Sequence, residues 1–417
     1  MGNAEFISRL LNVGLRGSTL VSKFLLIIML AKYLQPSSLG MYGLLVVSIA
    51  YSMYPLGFEF YTFSSRELVR ADIKDRAQKL KNQVSMHAVL YFFVMPLLLL
   101  VFYFEFIPWR LAPLFLILVV LEHLNQEAMR LLTALQYQLV SSVALFLRQG
   151  LWALVLVLLM YFYPSLRKLE YLLTAWAVGS FFALCLSVYV LVKMSAIKNN
   201  AIKKTEWHWV LRGIKIALPL FAASLSVNFI TTADRYWLAI LQGDTILGAY
   251  VFYMALVTAM ITFMDAGIFS FIYPRLLVCS AEDDREGFSK LIKGMFIQVS
   301  LVSAFFVLFI VFFADWFFTL LGEAVYSENI GVFYVLVFMV IIQAFGYIPH
   351  YGLYAQSCDK QIVVSSIVSV PLFIVSVLIL SQYNVRYAIP VALCFVYAFV
   401  LIYKLYAYYL VSKRVVL

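Results

Sequence analysis

Long runs of apolar residues, separated by short polar segments, follow one another along almost the entire chain. Each run is long enough for a membrane-spanning α-helix, which needs about 20 apolar residues to cross the hydrocarbon core of a bilayer. The sequence therefore predicts an all-α polytopic membrane protein with about twelve transmembrane helices. The predicted spans are 10–33, 40–63, 82–105, 111–134, 139–163, 169–193, 210–241, 246–273, 290–314, 330–354, 361–381 and 387–411.

Lysine and arginine residues concentrate in alternate connections between these spans. The connections after the second, sixth and eighth spans are rich in cations, and the chain ends in Lys413-Arg414 before its last apolar residues. The segments 242–245 and 315–330 contain no lysine or arginine, although the connection 163–169 carries two cations. Because cytoplasmic loops are enriched in lysine and arginine, we predict that both termini are cytoplasmic, which requires an even number of spans.

Composition agrees with a membrane protein and narrows the classes of partner. Apolar residues make up 64% and charged residues 12% of the 417 residues, against about 45–50% and 25% in soluble domains. The net charge of +10 is explained by orientation signals and contacts to anionic lipid, so no nucleic-acid partner is expected. No disulfide, metal site or cofactor is predicted, because neither the four cysteines nor His87, His123 and His350 show ligand or disulfide spacing.

A short motif occurs twice in the chain. Leu-Gln, a short turn and Leu-Gly-x-Tyr follow the first span at 34–42 and the seventh span at 241–250. An offset of six helices keeps both copies in the same orientation, which predicts two parallel repeats with the substrate bound between them. The alternative is that glycine and polar residues simply mark helix turns. The predicted organisation is an N-terminal six-helix lobe (1–193), a cytoplasmic linker (194–209) and a C-terminal six-helix lobe (210–417).

Three cations spaced seven residues apart, Arg9, Arg16 and Lys23, occupy the first span and its start. Residues at this spacing drift only about 20° per step around a helix, so they share a face, which Asn12 and Thr19 extend. A cation at mid-membrane costs about 2.5–3.5 kcal/mol unless it faces water or a counter-charge. We therefore predict that Arg16 and Lys23 contact an anionic substrate in a polar cavity that Asn12 lines. The alternative for these cations is snorkelling to the interface.

The fourth and fifth spans supply further candidates. Glu122, Gln126 and Arg130 recur every four residues and share one helix face, where they are predicted to line the cavity or form a gate. In the alternative interpretation, the polar side chains of this helix pair with one another: Arg130 forms an ion pair with Glu127 and a hydrogen bond with Gln126. Glu122 is also a candidate for ion coupling. Arg148 in the fifth span is predicted to help neutralise the substrate's charge.

Charged residues also interrupt the seventh and eighth spans. Asp234 is a candidate cavity or gate residue and Arg235 a candidate substrate contact, with anchoring at the outer interface beside Tyr236 and Trp237 as the alternative. Adjacent helical residues point about 100° apart, so we expect Asp234 and Arg235 to meet different partners. Asp265 is a lone carboxylate in the eighth span, where it would couple transport to protons or sodium or pair with a lysine.

These residues carry a resemblance to a known family. Asp234-Arg235-Tyr236-Trp237, followed by LAILQGDTILGAYVF, resembles the second-lobe signature of the polysaccharide-transport branch of the MOP exporter superfamily. LAKYLQPSSLGMYGLL, which begins at Leu30, is similar to the opening motif of that branch. The resemblance covers the whole chain in length and number of spans, whereas its motifs cover only these two segments. It implies a MATE-like fold and is strongest to Wzx-type O-antigen flippases.

The resemblance to such flippases implies transport rather than an enzymatic reaction. The resemblance implies that the chain moves undecaprenyl-diphosphate-linked oligosaccharide units from the cytoplasmic to the periplasmic leaflet of the bacterial inner membrane. The implied partners are this lipid-linked oligosaccharide, membrane lipid and the polysaccharide polymerase machinery. One alternative, a drug-type exporter, would have a carboxylate-centred cavity, but the span 10–33 has no carboxylate. The other, a membrane glycosyltransferase or polymerase, would need a long extramembrane loop with catalytic side chains.

Overall fold

The computed structural model describes residues 3–193 and 204–414, and every regular element in these two ranges is helical. Part of the predicted linker, 194–203, lies outside the described residues. The first range contains these α-helices: α1 (Asn3–Tyr33), α2 (Pro36–Gly57), α3 (Tyr61–Arg70), α4 (Ile73–Leu98), α5 (Leu100–Tyr103), α6 (Ala112–Ala134), α7 (Gln138–Phe146), α8 (Trp152–Phe162) and α9 (Leu169–Lys193). A π-helical turn, Leu147–Leu151, joins α7 to α8.

The second range continues with a helix that the chain breaks in the middle. It contains these α-helices: α10 (Trp207–Met264), α11 (Ser270–Ala281), α12 (Arg285–Leu321), α13 (Ala324–Glu328), α14 (Ile330–Ala355), α15 (Asp359–Tyr383) and α16 (Val385–Arg414). A second π-helical turn, Asp265–Phe269, joins α10 to α11. Within α10, Gly243 has φ 78° and ψ 175°, a backbone conformation that ends one helix and begins the next.

The break at Gly243 decides the number of membrane crossings. Eleven helical segments within the described residues are long and apolar enough to span a membrane, and one of them, Trp207–Ala281, has 75 residues. A straight helix of that length would extend for about 110 Å, more than three times the thickness of the hydrocarbon core. Divided at Gly243, this segment supplies two crossings. The prediction of an all-α membrane protein with about twelve spanning helices is therefore confirmed.

The chain divides into two compact units of similar size. Unit 1 comprises Met1–Leu34 and Met41–Phe221, and unit 2 comprises Gln35–Gly40 and Ala222–Leu417. The predicted lobe boundaries at 193 and 210 stay a prediction. In unit 1, α6 packs against α9 and α1 packs against α7, whereas in unit 2 α16 packs against both α14 and α15.

Both copies of the repeated motif place their glycine at a close helix contact inside unit 2. A Cβ added at Gly248 would lie 1.9 Å from the carbonyl oxygen of Pro36, and one added at Gly40 would lie 2.4 Å from that of Asp244. Backbone atoms cannot move aside as a flexible side chain can, so only glycine allows the start of α2 to approach α10 this closely. The repeated glycines therefore serve packing rather than a turn.

Candidate functional site

A cavity of about 430 Å³ lies among the helices of unit 1 and is lined by residues of α1, α2, α6, the first π-helical turn, α8 and α9. Its aromatic lining residues are Tyr42, Tyr54, Trp152 and Trp176, and its charged and amide residues are Lys23, Glu122, Gln126, Arg148 and Gln149. Four of these were singled out from the sequence as candidate residues: Lys23, Glu122, Gln126 and Arg148. The structure thus brings together residues from three of the predicted spans.

Glu122 is held by hydrogen bonds from three other residues. Its Oε2 accepts from Arg148 Nε at 2.8 Å and from Arg148 Nη2 at 2.5 Å. Its Oε1 accepts from the indole nitrogen of Trp176 at 3.0 Å and from the hydroxyl of Ser180 at 2.7 Å. An ionised carboxylate has about four acceptor positions, so these four bonds use all of them. Glu122 therefore offers little to a ligand in the cavity.

The π-helical turn positions Arg148. Single π-helical turns inside α-helices are frequent at functional sites, because they leave backbone groups outside the regular pattern. Here the backbone carbonyl of Arg148 accepts a hydrogen bond from the Trp152 indole nitrogen at 2.7 Å. The Trp152 ring in turn stacks on Trp176, with centroids 6.3 Å apart and planes at 12°. These contacts hold Arg148 and the Glu122 partner Trp176 in one arrangement.

Lys23 is the cavity cation that is not neutralised. Its side chain is exposed, and among the described residues it makes no hydrogen bond or ion pair. Two cations (Lys23 and Arg148) and one anion (Glu122) give the lining a formal charge of +1. Because Glu122 is paired with Arg148, that excess charge resides on Lys23. The cavity can therefore attract an anion.

Arg16 and Asn12 lie near each other but not in the cavity lining. Arg16 Nε donates to the Ser142 hydroxyl at 3.2 Å, and this hydroxyl donates to Asn12 Oδ1. The two α1 residues are thereby connected to α7. The Arg16 side chain is exposed, and of the two α1 residues Arg16 and Lys23 it is Lys23 that lines the cavity. Of the cations predicted to contact substrate in unit 1, Lys23 and Arg148 line the cavity, whereas Arg16 contacts Ser142 of α7.

Arg130 belongs to a different group of side chains from the cavity residues on α6. It donates to Glu127 Oε1 at 2.7 Å, and its guanidinium lies 3.7 Å from the centroid of the Tyr61 ring. The pairing with Glu127 is the one considered in the alternative interpretation of this helix. A hydrogen bond to Gln126 is not among the contacts of the described residues, and Gln126 lines the cavity instead.

In unit 2, Asp234 and Arg235 contact each other, which the sequence analysis did not expect. Arg235 Nη1 lies 3.2 Å from Asp234 Oδ1, and it also donates to the carbonyl oxygen of Thr231. The expectation of separate partners was wrong because it considered helical angles alone, whereas the long arginine side chain folds back along its own helix. Asp234 is fully buried and accepts a second hydrogen bond, from the Tyr250 hydroxyl at 2.7 Å.

Asp265 begins the second π-helical turn and is exposed. Its Oδ1 accepts a hydrogen bond from the Tyr351 hydroxyl at 3.2 Å. The described residues give it no lysine partner, which was one of the two predicted roles. Its coupling role stays a prediction.

Sequence reasoning missed the neutral residues that complete these contacts. Ser142, Trp176 and Ser180 carry no charge, so nothing in an apolar helix distinguishes them from packing residues. The amphipathic pattern of α9 offers little signal, because its polar residues are few and scattered. Only the folded structure shows that Trp176 and Ser180 face Glu122.

Comparisons with known proteins identify the fold. No family model and no curated protein matches the chain. A solved inward-facing multidrug resistance MATE family transporter of the MOP superfamily matches with a TM-score of 0.76 and 14% identity, over 95% of each chain. An outward-facing MATE family transporter matches with a TM-score of 0.59 and 13% identity, over 97% of this chain and 95% of that one.

A third solved structure is a MOP superfamily transporter from Pyrococcus furiosus, described by the reverse polarity of its binding pocket. It matches with a TM-score of 0.60 and 13% identity, over 97% of this chain and 93% of that chain. At these identities the likeness shows the fold alone. The chain has the MATE-like fold that the sequence predicted.

Proposed function

We propose that this protein is a flippase that moves undecaprenyl-diphosphate-linked oligosaccharide units across the bacterial inner membrane by alternating access. The observation that carries the proposal is Lys23, a cavity cation with no polar partner among the described residues. An uncompensated cation inside a membrane protein is expensive, so it favours a function that supplies an anion. The diphosphate of a lipid-linked sugar is such an anion.

Arg148 adds a second contact point for this diphosphate. Glu122 occupies its Nε and Nη2, whereas the partner of Nη1 is the weakly accepting sulfur of Met129 at 3.8 Å. Phosphate oxygens accept much stronger hydrogen bonds from a guanidinium than a thioether does. We expect the diphosphate to contact Lys23 together with Nη1 of Arg148. The predicted contacts of Arg16 and Arg235 with substrate stay predictions, because neither lines this cavity.

The sugars and the polyprenyl tail of the substrate would contact the aromatic lining of the cavity and the surrounding lipid. Aromatic side chains in the cavity lining, Tyr42, Tyr54, Trp152 and Trp176, can pack against sugar rings. The polyprenyl tail remains in the lipid throughout, so it does not leave its apolar environment and adds no free-energy cost to transport. No bond is made or broken in this process, so the proposal assigns no enzymatic activity. The bias of lysine and arginine supports cytoplasmic termini, and the polysaccharide polymerase machinery would receive the product.

A second candidate is an exporter of small amphiphilic molecules. It is favoured by the fold, because two of the similar solved structures are multidrug resistance transporters. For the transporter with the reverse-polarity pocket, a different function is suggested. This supports inferring function from the charges of the cavity rather than from the fold. An exporter of cations needs a carboxylate that is free to meet its substrate. Glu122, the carboxylate in this cavity, is fully hydrogen-bonded.

The proposal is tested by locating the lipid-linked intermediate in a strain that lacks this gene. We expect the strain to lose its surface polysaccharide ladder and to retain undecaprenyl-diphosphate-linked units on the cytoplasmic leaflet, with both defects reversed by a plasmid copy. An intact ladder, in a strain without a redundant flippase, would instead support the exporter. Ladder loss with the units already on the periplasmic side would support an enzyme that acts after transport.

A further inference from the structure

Two buried histidines and a carboxylate meet in unit 1, outside the cavity lining. His87 belongs to α4, and His123 and Glu127 belong to α6. One ligand-type atom from each residue lies within 4.8 Å of the other two. The two imidazole rings are 4.8 Å apart at their centroids, and their side chains are 7% and 1% exposed. Because the two histidines are 36 positions apart in the sequence, spacing alone could not reveal this group.

The Nε2 atoms of both histidines are buried and have no hydrogen-bond partner among the described residues. An unpaired buried polar atom is costly, so native structures usually provide a partner, such as an ion or water. The Nδ1 atom of His123 lies 2.9 Å from the Tyr91 hydroxyl. When Nδ1–H donates to that oxygen, Nε2 presents its lone pair, which is the arrangement of metal-binding histidines.

Space for a ligand exists next to these donors. A Cβ added at Gly57 would lie 3.7 Å from each of His123 Nε2, Glu127 Oε1 and Arg130 Nη1. A methyl group would fit there in ordinary van der Waals contact. The glycine therefore leaves a small opening that is bordered by polar atoms.

We infer that His87, His123 and Glu127 form a binding site for a divalent transition metal ion of the zinc type. Two imidazoles and one carboxylate suit such ions, and three protein ligands leave a fourth position for water beside Gly57. Bonds of about 2.0–2.1 Å in a tetrahedral site separate the ligand atoms by about 3.4 Å. The side chains must therefore turn inward from their present separation. The ion would tie α4 to α6, and α6 also carries the cavity residues Glu122 and Gln126.

The neighbours of Glu127 set the strength of this site. Arg130 donates to its Oε1 at 2.7 Å and Gln83 to its Oε2 at 2.8 Å, which leaves acceptor capacity on both oxygens. Hydrogen-bonded carboxylates are usual ligands, because outer partners orient them. The positive charge of Arg130 opposes a cation, so we expect an affinity weaker than that of structural zinc sites.

Cobalt binding to the full-length protein tests this inference. The protein is purified without a polyhistidine tag into lipid nanodiscs and titrated with Co²⁺, whose visible absorption reports tetrahedral coordination, and bound Zn²⁺ is counted by mass spectrometry. We expect about one ion per chain, and at least a tenfold loss of affinity in His87→Ala and in His123→Ala. The matched controls His208→Ala and His350→Ala remove histidines outside the group and should bind as the wild type does.

Gly57→Ala keeps the inference testable if the histidine variants fail to fold. This variant retains all three ligands and fills the position of the fourth, so we expect weaker Co²⁺ binding and an altered absorption band. Wild-type protein that binds no more Co²⁺ than the His87→Ala/His123→Ala double variant, or equal loss in all four histidine variants, would overturn the inference. The test does not depend on the transported substrate, so its failure leaves the proposed flippase function untouched.

Discussion

Unit 1 and unit 2 each contain a deeply buried carboxylate, and they hold it in different ways. Glu122 of unit 1 accepts hydrogen bonds from residues of the π-helical turn and of α9, far from it in sequence. Asp234 of unit 2 accepts from Arg235 beside it and from Tyr250 beyond the Gly243 break of the same helix. The first carboxylate joins three elements, whereas the second is satisfied within α10.

The difference distinguishes an unpaired cation in unit 1 from the paired cations of both units. In unit 1, pairing of Glu122 with Arg148 leaves Lys23 in the same cavity without a counter-charge. In unit 2, Arg235 is paired with Asp234, and its Nη1 also donates to the Thr231 carbonyl. An incoming anion therefore finds an unpaired cation in unit 1 and none at the Asp234 position of unit 2. We therefore expect the charge balance of each site, rather than the number of its cations, to decide where an anionic substrate binds.

The largest effect is expected from Glu122→Gln, which removes the charge that neutralises Arg148. Breaking a buried ion pair by removing one partner costs about 3–5 kcal/mol, because the other charge remains buried. We expect a strong fall in thermal stability in nanodiscs, measured by Tm. The double variant Glu122→Gln/Arg148→Met should regain most of the lost stability. A single variant as stable as the wild type would contradict the central role of this pair.

The next effect concerns the close helix contact in unit 2. Gly248→Ala would place a methyl group 1.9 Å from the Pro36 carbonyl oxygen, so the backbone must shift. Overpacking of this kind costs about 1–3 kcal/mol, and we expect the upper end of that range. Gly294→Ala is the matched control, because an added Cβ there meets nothing within 4 Å. Equal Tm values for the two variants would show that the contact is not needed.

Lys23→Gln tests whether the unpaired cation of unit 1 contacts the substrate. Loss of a charged hydrogen bond to substrate costs about 1.5–3 kcal/mol, which corresponds to a decrease in transport of about 10- to 100-fold. Membrane abundance should stay normal, and Lys23→Arg should retain much of the activity. Lys32→Gln, in the last turn of α1 and outside the cavity lining, is the control. Normal transport by the Lys23→Gln variant would remove the substrate role of this cavity cation.

Asp234→Asn is the counterpart of Glu122→Gln in unit 2 and should cost less, about 1–2 kcal/mol. The amide oxygen can still accept from Tyr250, and Arg235 keeps the Thr231 carbonyl. A Tm decrease smaller than that of Glu122→Gln is the expected result. A larger Tm decrease in Asp234→Asn than in Glu122→Gln would contradict the distinction between Glu122, which is held by residues of other elements, and Asp234, which is held within its own helix.

The smallest effect is expected at Glu67, a partly exposed carboxylate on α3 between the predicted spans. Its hydrogen bond from Lys79, at 3.1 Å, holds the pKa of Glu67 below the ordinary value of 4.5. The stabilisation is therefore complete above that value and is lost as pH falls through the lower folded-state pKa. We expect it to be below about 1 kcal/mol. Between pH 6 and about pH 3, Tm should fall more steeply for wild type than for Glu67→Gln, and parallel curves would contradict the assignment.

Much of the fold could be predicted because apolar runs report directly on membrane-spanning helices. The break in α10 was also predictable, since the polar connection 242–245 contains Gly243. Four candidate residues reached one cavity, but the pairing of Arg148 with Glu122 joins positions 26 apart on different helices. Periodicity describes one helix at a time, so it cannot predict such pairs. For the same reason it could not show that His87 meets His123.

Helical periodicity also takes no account of the length of a side chain. The angle between neighbouring helical positions suggested that Asp234 and Arg235 would not pair, but the arginine side chain spans the gap. Conversely, the seven-residue spacing placed Arg16 and Lys23 on one face, and the structure assigns them to different surroundings. A shared helix face does not guarantee a shared site, because neighbouring helices cover different parts of that face.

The measurement that tests the account most directly is binding of undecaprenyl diphosphate to the purified protein in nanodiscs. We expect saturable binding to the wild type that the lipophilic cation tetraphenylphosphonium does not displace. Affinity should fall about tenfold or more in Lys23→Gln and stay unchanged in Lys32→Gln. Tight binding of tetraphenylphosphonium, or undecaprenyl diphosphate binding that is the same in Lys23→Gln as in the wild type, would contradict the central claim that an unpaired cavity cation selects an anionic lipid-linked substrate.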